Sequence, residues 1–533
     1  MHVPAAPASS WAPLRIGSYR SLWTAQMGSN VGTWMQTVGA QWMLVHQPHA
    51  ATLTSAVQAA SLLPVLFVSL PAGVLADVVD RRRLLAALSL LMALMAAVLT
   101  GLTWAGLTTP ALLIGLTFLL GSGQAVLGPT WQAIQPELVP RELIPSAAAL
   151  GSLNINIARA IGPAAAGVLV ALIGPAFVFG LNAVSFLGVT AAVLAWRRPP
   201  DEARIAERAV PALRSGLRYV RHAPAVRRIL LRSGLFVLPA SALWALLPVT
   251  ASSRLGLGAA GYGVLLGALG VGAIVGALSI RRLRAALPDN ALLVAGTLAF
   301  ALGMLGAAAL RQPVAVTLLL IPAGAGWLVN LSTLNTALQL TLPGWVRARG
   351  LSAYLLIFLG GQGVGALIWG FIAGGGIVPA LLAAAALLVA GAATLRWWPL
   401  YAETGRLDRT IVSTWPEPVL VLEPQPADGP VLVEITYTVP PERADAFRAA
   451  MQPVGLSRRR TGAFDWGLFR DVATPNRYIE AFLVPSWSEH LSQHNGRTTG
   501  YDAQLLSTAR DLIEGEPQVR HLLPASRADA SPA

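Results

Sequence analysis

The chain contains no cysteine and no lysine. The first absence excludes disulfides and thiolate metal sites. The second makes arginine the only long cationic side chain. Charge of any kind is scarce, at 12% of the 533 residues, whereas a soluble domain carries roughly a quarter. From Ala160 to Trp196 the chain runs 37 residues without a charged side chain. What is present is apolar: 55% hydrophobic residues and a mean hydropathy of +0.60. Lipid is therefore the expected solvent. A sequence pI near 11.1 would otherwise suggest nucleic acid. The arginines, however, lie in short connections between apolar runs, so membrane topology accounts for them and no nucleic-acid partner is expected.

A spanning helix needs about 20 mostly apolar residues. That length predicts twelve spans, near 21–45, 52–76, 84–106, 109–133, 147–172, 175–196, 232–251, 258–280, 290–310, 313–338, 350–374 and 377–398. The first run has no cleavage site after it and reads as an anchor that stays. Two long runs must fold into helical hairpins, breaking at Gly174-Pro175 and within 374–379. Residues 1–398 carry 25 arginines against 8 acids, whereas 399–533 carry 13 against 17. Of the 25, 22 fall at the termini or in even-numbered connections. The positive-inside rule then places both ends in the cytoplasm of a multi-pass protein in a bacterial cytoplasmic membrane.

The chain also repeats itself. Gly121 and Gly324 are 203 residues apart, as are Gly162 and Gly365, and Gly167 and Gly370. Two parallel six-helix halves follow, the plan of major-facilitator transporters, which bind substrate between the halves near the bilayer midplane. The predicted domains are 1–198, a six-helix half; 199–231, an Arg-rich central loop; 232–398, the second half; 399–430, a linker; 431–524, an α+β domain; and 525–533, a disordered tail.

Three motifs carry candidate chemistry. The stretch GVLADVVDRRR (73–83) resembles the major-facilitator loop signature through Gly73, Asp77, Arg81 and Arg82, with Val78 and Asp80 departing from it. Such a cluster implies a latch that breaks as the halves rock; a topology signal with a solvated acid is the plainer alternative. ARAIGPAAAGVL (158–169) resembles the exporter signature of span 5 through Gly162, Pro163 and Gly167, where small residues allow close helix approach and proline bends the contact. Simple helix packing is the alternative. Arg159 precedes that motif in mid-membrane, where a cation costs roughly 2.5–3.5 kcal/mol. It is expected to face a central cavity, paired with amides such as Asn30 and Gln36, with carbonyls, or with an acidic substrate group. The other cavity candidates are Asn154, Asn156, Gln132, Asn335, Gln339 and Gln362, some of which would serve only as interhelical glue. A cavity of amides, tryptophan and one cation suits a large amphipathic or anionic organic molecule.

Together with QPELVPRELIPSAAAL (135–150) and FGLNAVSFLG (179–188), these motifs are similar to the major-facilitator branch of enterobactin exporters and macrolide efflux pumps, the transmembrane secretion effector type. The resemblance covers residues 10–400. It implies export of a siderophore, drug or secondary metabolite, with a proton as coupling ion. Topology alone leaves uptake open as an alternative.

In the remainder, strands near 431–439, 463–471, 477–485 and 517–524 alternate with helices over 440–451 and 486–515. That β-α-β-β-α-β order is ferredoxin-like and resembles small monooxygenase-like domains, which implies a homodimer through this domain. The Pro-rich linker is expected to hold the domain clear of the bilayer, with weak docking against the loop arginines. His490 and His494 stand at metal-binding spacing, but no third ligand lies nearby in sequence, and no metal or cofactor is expected. An enzyme reading of this domain would use Trp466, His490 and Asn495.

Overall fold

The structure, a computed structural model, describes residues 11–68, 79–197, 209–401, 407–412 and 424–524. The loop residues Gly73 and Asp77, much of the 399–430 linker, the start of the central loop and residues 525–533 lie outside the described residues.

The helices are α1 (Gly17–Leu44), α2 (Ala50–Val68), α3 (Arg81–Trp104), α4 (Pro110–Leu138), α5 (Ile144–Leu172) and α6 (Pro175–Ala195). An amphipathic α7 (Ala209–His222) follows, and then α8 (Pro224–Val249), α9 (Ala259–Ala286), α10 (Asp289–Ala309), α11 (Pro313–Thr341), α12 (Gly344–Ile372) and α13 (Ile377–Ala393). Among the described residues, eleven helices are long and apolar enough to cross a membrane. α1 is not one of the eleven, because Gln26, Asn30, Gln36 and Gln41 dilute its apolar character.

Local chemistry sets the helix ends. Proline opens α4, α6 and α11, where its missing N–H costs nothing. Asp80, the departure from the loop signature, caps α3 by accepting from the Arg83 N–H at 2.9 Å. The two predicted hairpin breaks fall at Gly174 (φ 101°) and Gly376 (φ 141°), a backbone region that glycine enters without strain.

The chain divides into two compact units. The first holds Met1–Glu207, Arg232–Leu334 and Leu355–Pro399; the second holds Arg208–Leu231, Asn335–Tyr354 and Leu400–Ala533.

In the first unit the repeated glycines make corresponding contacts. A Cβ on Gly121 of α4 would meet the Ala60 carbonyl of α2 at 2.8 Å, and one on Gly324 of α11 would meet the Leu269 carbonyl of α9. Gly162 of α5 lies against Trp34 of α1, and Gly365 of α12 against Leu238 and Ser241 of α8. Gly167 lies against Ala259 and Gly263 of α9, and Gly370 against Ala51 and Ser55 of α2. In each pair the contacts map onto one another when α1–α6 are exchanged with α8–α13.

In the second unit, β1 (Val431–Thr438), β2 (Phe464–Arg470), β3 (Arg477–Val484) and β4 (Glu514–Leu522) form an antiparallel sheet in the order β2-β3-β1-β4. Alternate residues of β1 (Val431, Val433, Ile435, Tyr437) are buried with Phe447, Met451 and Val454 of α14 (Ala444–Thr461) and with Leu506 and Ala509 of α16 (Gly500–Arg510). The short α15 (Trp487–Ser492) lies between β3 and α16. α14 runs through Pro453 to Thr461, ten residues beyond the expected end, and Arg458, Arg459 and Arg460 in its last turn suit the negative end of the helix dipole.

Within the second unit this domain packs on α7 and the start of α12. Arg218 of α7 donates to Glu489 of α15 at 3.3 Å, Tyr219 of α7 packs edge-on to Trp345 at 5.6 Å, and Arg497 lies over the same indole at 5.0 Å. Contact with the loop arginines was expected; the aromatic partners Tyr219 and Trp345 were not.

Asp502 shows how the domain holds charge. Buried at 6% exposure, it caps α16 through Thr499 and accepts from Ser457 at 2.6 Å and from Arg460. Burial alone would raise its pKa, but Arg460 and the hydroxyls of Ser457 and Thr499 outweigh that and hold it below the usual range. A depressed carboxyl stabilises the fold above its unfolded pKa of about 4, and the stabilisation is lost as pH falls through the folded value. The stability difference between wild type and Asp502→Asn, measured by hydrogen exchange over 431–524, is expected to be constant above about pH 4 and to shrink below it. A difference that grows on acidification would refute this assignment.

Candidate functional site

Arg159 sits half-buried on α5, one turn before Pro163. Its guanidinium lies over the Trp34 ring at 5.9 Å and borders a small cavity with Pro163, Trp244, Gly270, Gly324 and Trp327. No described residue hydrogen-bonds or ion-pairs with it. The aromatics form a chain: Trp34 to Trp244 at 6.3 Å, Trp244 to Trp327 at 5.4 Å and Trp327 to Phe358 at 5.5 Å. The site thus combines an unneutralised cation with indole faces, at the place where α1 and α5 of the first half meet α8, α9 and α11 of the second.

The expected amide partners are elsewhere. Asn30 donates to Asn154 at 2.8 Å and accepts from Gln26 at 3.1 Å, and Asn154 donates to the Trp23 carbonyl at 3.0 Å. Gln36 accepts from Asn182. Asn156 bonds back to the Ser152 carbonyl at 2.9 Å, Gln132 is exposed, Gln339 donates to Asn335, and Gln362 is buried in α12. Buried amides satisfy one another wherever two helices approach, because an unmade hydrogen bond is costly in apolar surroundings. Of the residues named from sequence, Arg159, Pro163 and the repeat glycine Gly324 border this cavity; Trp34, Trp244 and Trp327 were missed, because a tryptophan in an apolar run gives no signal of the face it takes.

The seam between the halves is built from small residues. A Cβ on Gly167 would come to 2.6 Å from the Ala259 carbonyl, and one on Gly270 to 2.7 Å from the Ala160 Cα. Polar bonds join the same region: Tyr262 Oη donates to Gln41 at 2.7 Å, Gln41 to Gln58 at 3.2 Å, and Thr52 to the Gly370 carbonyl at 3.1 Å. Gly167→Val is therefore expected to part α5 from α9. The chain has no native cysteine, and a Cβ on Gly267 lies 3.6 Å from that of Ala164, within disulfide range. The pair Ala164→Cys and Gly267→Cys is expected to cross-link readily under oxidation, and the yield to fall at least severalfold when Gly167→Val is added. Unchanged cross-linking would show that the seam tolerates the bulk.

At the arginine-rich end of the first half, Arg81 pairs with Glu137 of α4 at 3.0 Å. Arg82 donates to the Val193 carbonyl at 3.1 Å and to that of Leu194, at the end of α6. In the second half Arg232 does the same for α13, bonding the carbonyls of Gly391 (3.0 Å), Thr394 (2.9 Å) and Trp398. A cation on the last carbonyls of a helix offsets its dipole.

In the second unit the sequence pair His490 and His494 gains a partner. His521 of β4 joins them, and ligand atoms of all three lie within 4.8 Å of one another. His490 Nε2 and His494 Nε2 are 3.1 Å apart. Burial, with the neighbouring imidazoles and Arg458, pushes His490 down to about 3 and His494 to about 4. His521 lies 27 residues beyond His494, and only the strand order brings it there. Trp466 donates to Glu480 at 2.9 Å and does not line the cavity beside the histidines.

The fold is shared with solved membrane transporters. It superposes on a bacterial homologue of the lysosomal transporter Spinster, solved inward-facing and unoccupied, with a TM-score of 0.56 at 14% identity over 75% of this chain and 98% of that one. A D-xylose–proton symporter gives 0.58 at 13% over 72% and 98%. The chain belongs to the family described as transmembrane secretion effector, whose profile matches residues 8–529. It is similar to the staphyloferrin A transporter of Staphylococcus aureus, with 35% identity over 27% of this chain and 36% of that protein. The multidrug efflux pump Tap of Mycobacterium tuberculosis is 24% identical over 37% and 49%. The enterobactin exporter EntS of Escherichia coli O127:H6 is 30% identical over 56% and 71%. Of the first two relatives the chain thus spans less than half the length.

Proposed function

We propose that this protein is a secondary transporter of twelve spans that exports a small organic molecule, of the siderophore, drug or secondary-metabolite class, across the bacterial cytoplasmic membrane by alternating access. The observation that carries this reading is the placement of Arg159: an unneutralised guanidinium among indoles, where the two halves meet. That chemistry suits an amphipathic or anionic solute. The named functions of the similar proteins support the same class of cargo, and the corresponding glycine contacts support two parallel six-helix repeats.

The α5–α9 and α2–α12 seams fit closure on the side away from the arginine-rich connections, with both termini in the cytoplasm. Arg81 and Arg82 fit the cytoplasmic loop cluster that Gly73 and Asp77 complete. The βαββαβ order and the β2-β3-β1-β4 sheet support a ferredoxin-like domain, for which we propose a binding role and pairing with a second copy.

Protons are the proposed coupling ion. Among the described spans the only carboxylates are Glu137, Glu142 and Asp289, all near helix ends, so coupling is the part of the proposal most open to direct test. Purified protein in proteoliposomes, with an imposed pH gradient, should drive accumulation of an amphipathic fluorescent anion in the antiport sense. Accumulation in the opposite sense would establish uptake, and no response to pH in either sense would remove the proton.

A further inference from the structure

We infer that His490, His494 and His521 form a binding site for a divalent first-row transition metal in the domain after the last span, with one coordination position left open to a small ligand. Three observations carry it.

The first is geometry. Two imidazole nitrogens bound to one metal at about 2.0–2.1 Å lie roughly 3.0–3.4 Å apart in octahedral or tetrahedral sites. His490 Nε2 and His494 Nε2 are 3.1 Å apart, although like nitrogens gain only a single hydrogen bond from that approach. The third imidazole completes a set within 4.8 Å, a span that has to contract by roughly an ångström on coordination. The rings meet at steep angles, 80° for His490 with His494 and 61° for His490 with His521, so they do not stack face to face.

The second observation is unmet hydrogen-bonding capacity. His521 Nε2 is a buried ring nitrogen with no hydrogen-bond partner among the described residues. A buried polar atom left unpaired costs about 1–3 kcal/mol. A fold that needed only packing here would be served better by apolar side chains.

The third is charge and access. His490 is 1% exposed. The nearest cation, Arg458, is neutralised by Glu480 at 3.0 Å. The cavity in front of the histidines is walled by Val433, Ile435, Phe482 and Val519. Three imidazoles with an adjoining cavity are the donor set of open metal sites, in which the fourth position holds water or a small anion. With no thiolate in the chain, nitrogen donors select metals of the zinc, cobalt, nickel and copper group over calcium or magnesium.

The site also has a route to the rest of its unit. Glu489, next to His490, accepts from Arg497 and from Arg218 of α7. Metal at His490 therefore lies one residue from the ion pair that joins this domain to the central helix.

The test uses the full chain in detergent, purified without a polyhistidine tag and stripped with chelator. Titration with Co2+ should give visible d–d absorption that saturates at one equivalent, and Zn2+ should displace it. His521→Gln and His494→Gln should each weaken Co2+ binding at least about tenfold. His222→Gln, on α7 outside the cluster, should leave it unchanged. Hydrogen exchange over 431–524 checks that the variants remain folded. A wild-type protein that takes up no Co2+ or Zn2+ overturns the inference whatever the variants do. So does binding that survives both substitutions, or that falls equally with His222→Gln.

Discussion

Arg159→Ala is expected to reach the membrane at the wild-type level and to lose transport at least about tenfold. The two halves of that expectation have separate causes. An arginine at the centre of a spanning helix costs roughly 2.5–3.5 kcal/mol on insertion, so its removal favours the membrane state. Within the protein it contributes a stacking contact with Trp34 at 5.9 Å, a cation–π interaction of about 0.5–2 kcal/mol. Neither term makes it essential to folding. Its value lies in what it offers a solute: a charge-assisted hydrogen bond there contributes about 1.5–3 kcal/mol, a factor of about 10 to 150. Arg159→Lys keeps the charge and loses the planar fork, and should fall between the two. Efflux of anionic, neutral and cationic fluorescent compounds from cells, normalised to membrane protein, reads the result, with the anionic compounds affected most. Uniform full activity would reduce Arg159 to a packing residue.

The second large effect concerns Glu480. Its carboxylate is fully buried and accepts from Tyr437 at 2.8 Å, Trp466 at 2.9 Å and Arg458 at 3.0 Å. Glu480→Ala would strand the Arg458 guanidinium in the interior. Breaking a buried pair from one side costs about 3–5 kcal/mol, a large share of the roughly 5–15 kcal/mol that holds a typical domain together. Hydrogen exchange over 431–524 in the full-length protein should accelerate by two orders of magnitude or more. Replacing both partners, Glu480→Leu with Arg458→Met, removes the stranded charge and should recover most of the loss. Exchange unaltered by Glu480→Ala would show that the pair contributes nothing to stability, and a double variant as labile as the single one would locate the cost in shape rather than charge.

Glu480 also marks a limit of the sequence. In RYIEAFLVP it alternates with Ile479 and Ala481, and strand periodicity alone puts one of the two sets inside without saying that an acid belongs there. Only the approach of Arg458, Tyr437 and Trp466 makes its burial tolerable. The amides tell the same story from the other side. Their positions in apolar helices were plain, yet Asn30 bonds Asn154 and Gln36 accepts from Asn182 rather than pairing with Arg159, because the first polar partner within reach takes the bond.

What the sequence determined by itself is whatever depends on near neighbours along the chain or on strict spacing. Helix lengths follow from uncharged runs, the hairpin breaks from Gly174-Pro175 and the segment 374–379, and the correspondence of the repeats from glycines 203 residues apart. Small residues identify close contacts because nothing else fits there, so Gly162 and Gly167 stood out as close-approach positions before their partners, Trp34 and Gly263, were known. The tertiary structure decided every pairing between distant side chains: Arg159 with Trp34, Arg232 with the end of α13, Glu489 with Arg218, and His521 with His490 and His494. A side chain bonds what the fold brings within about 3 Å, and that neighbour is set by strand order and helix crossing, neither of which is written in the residues flanking it.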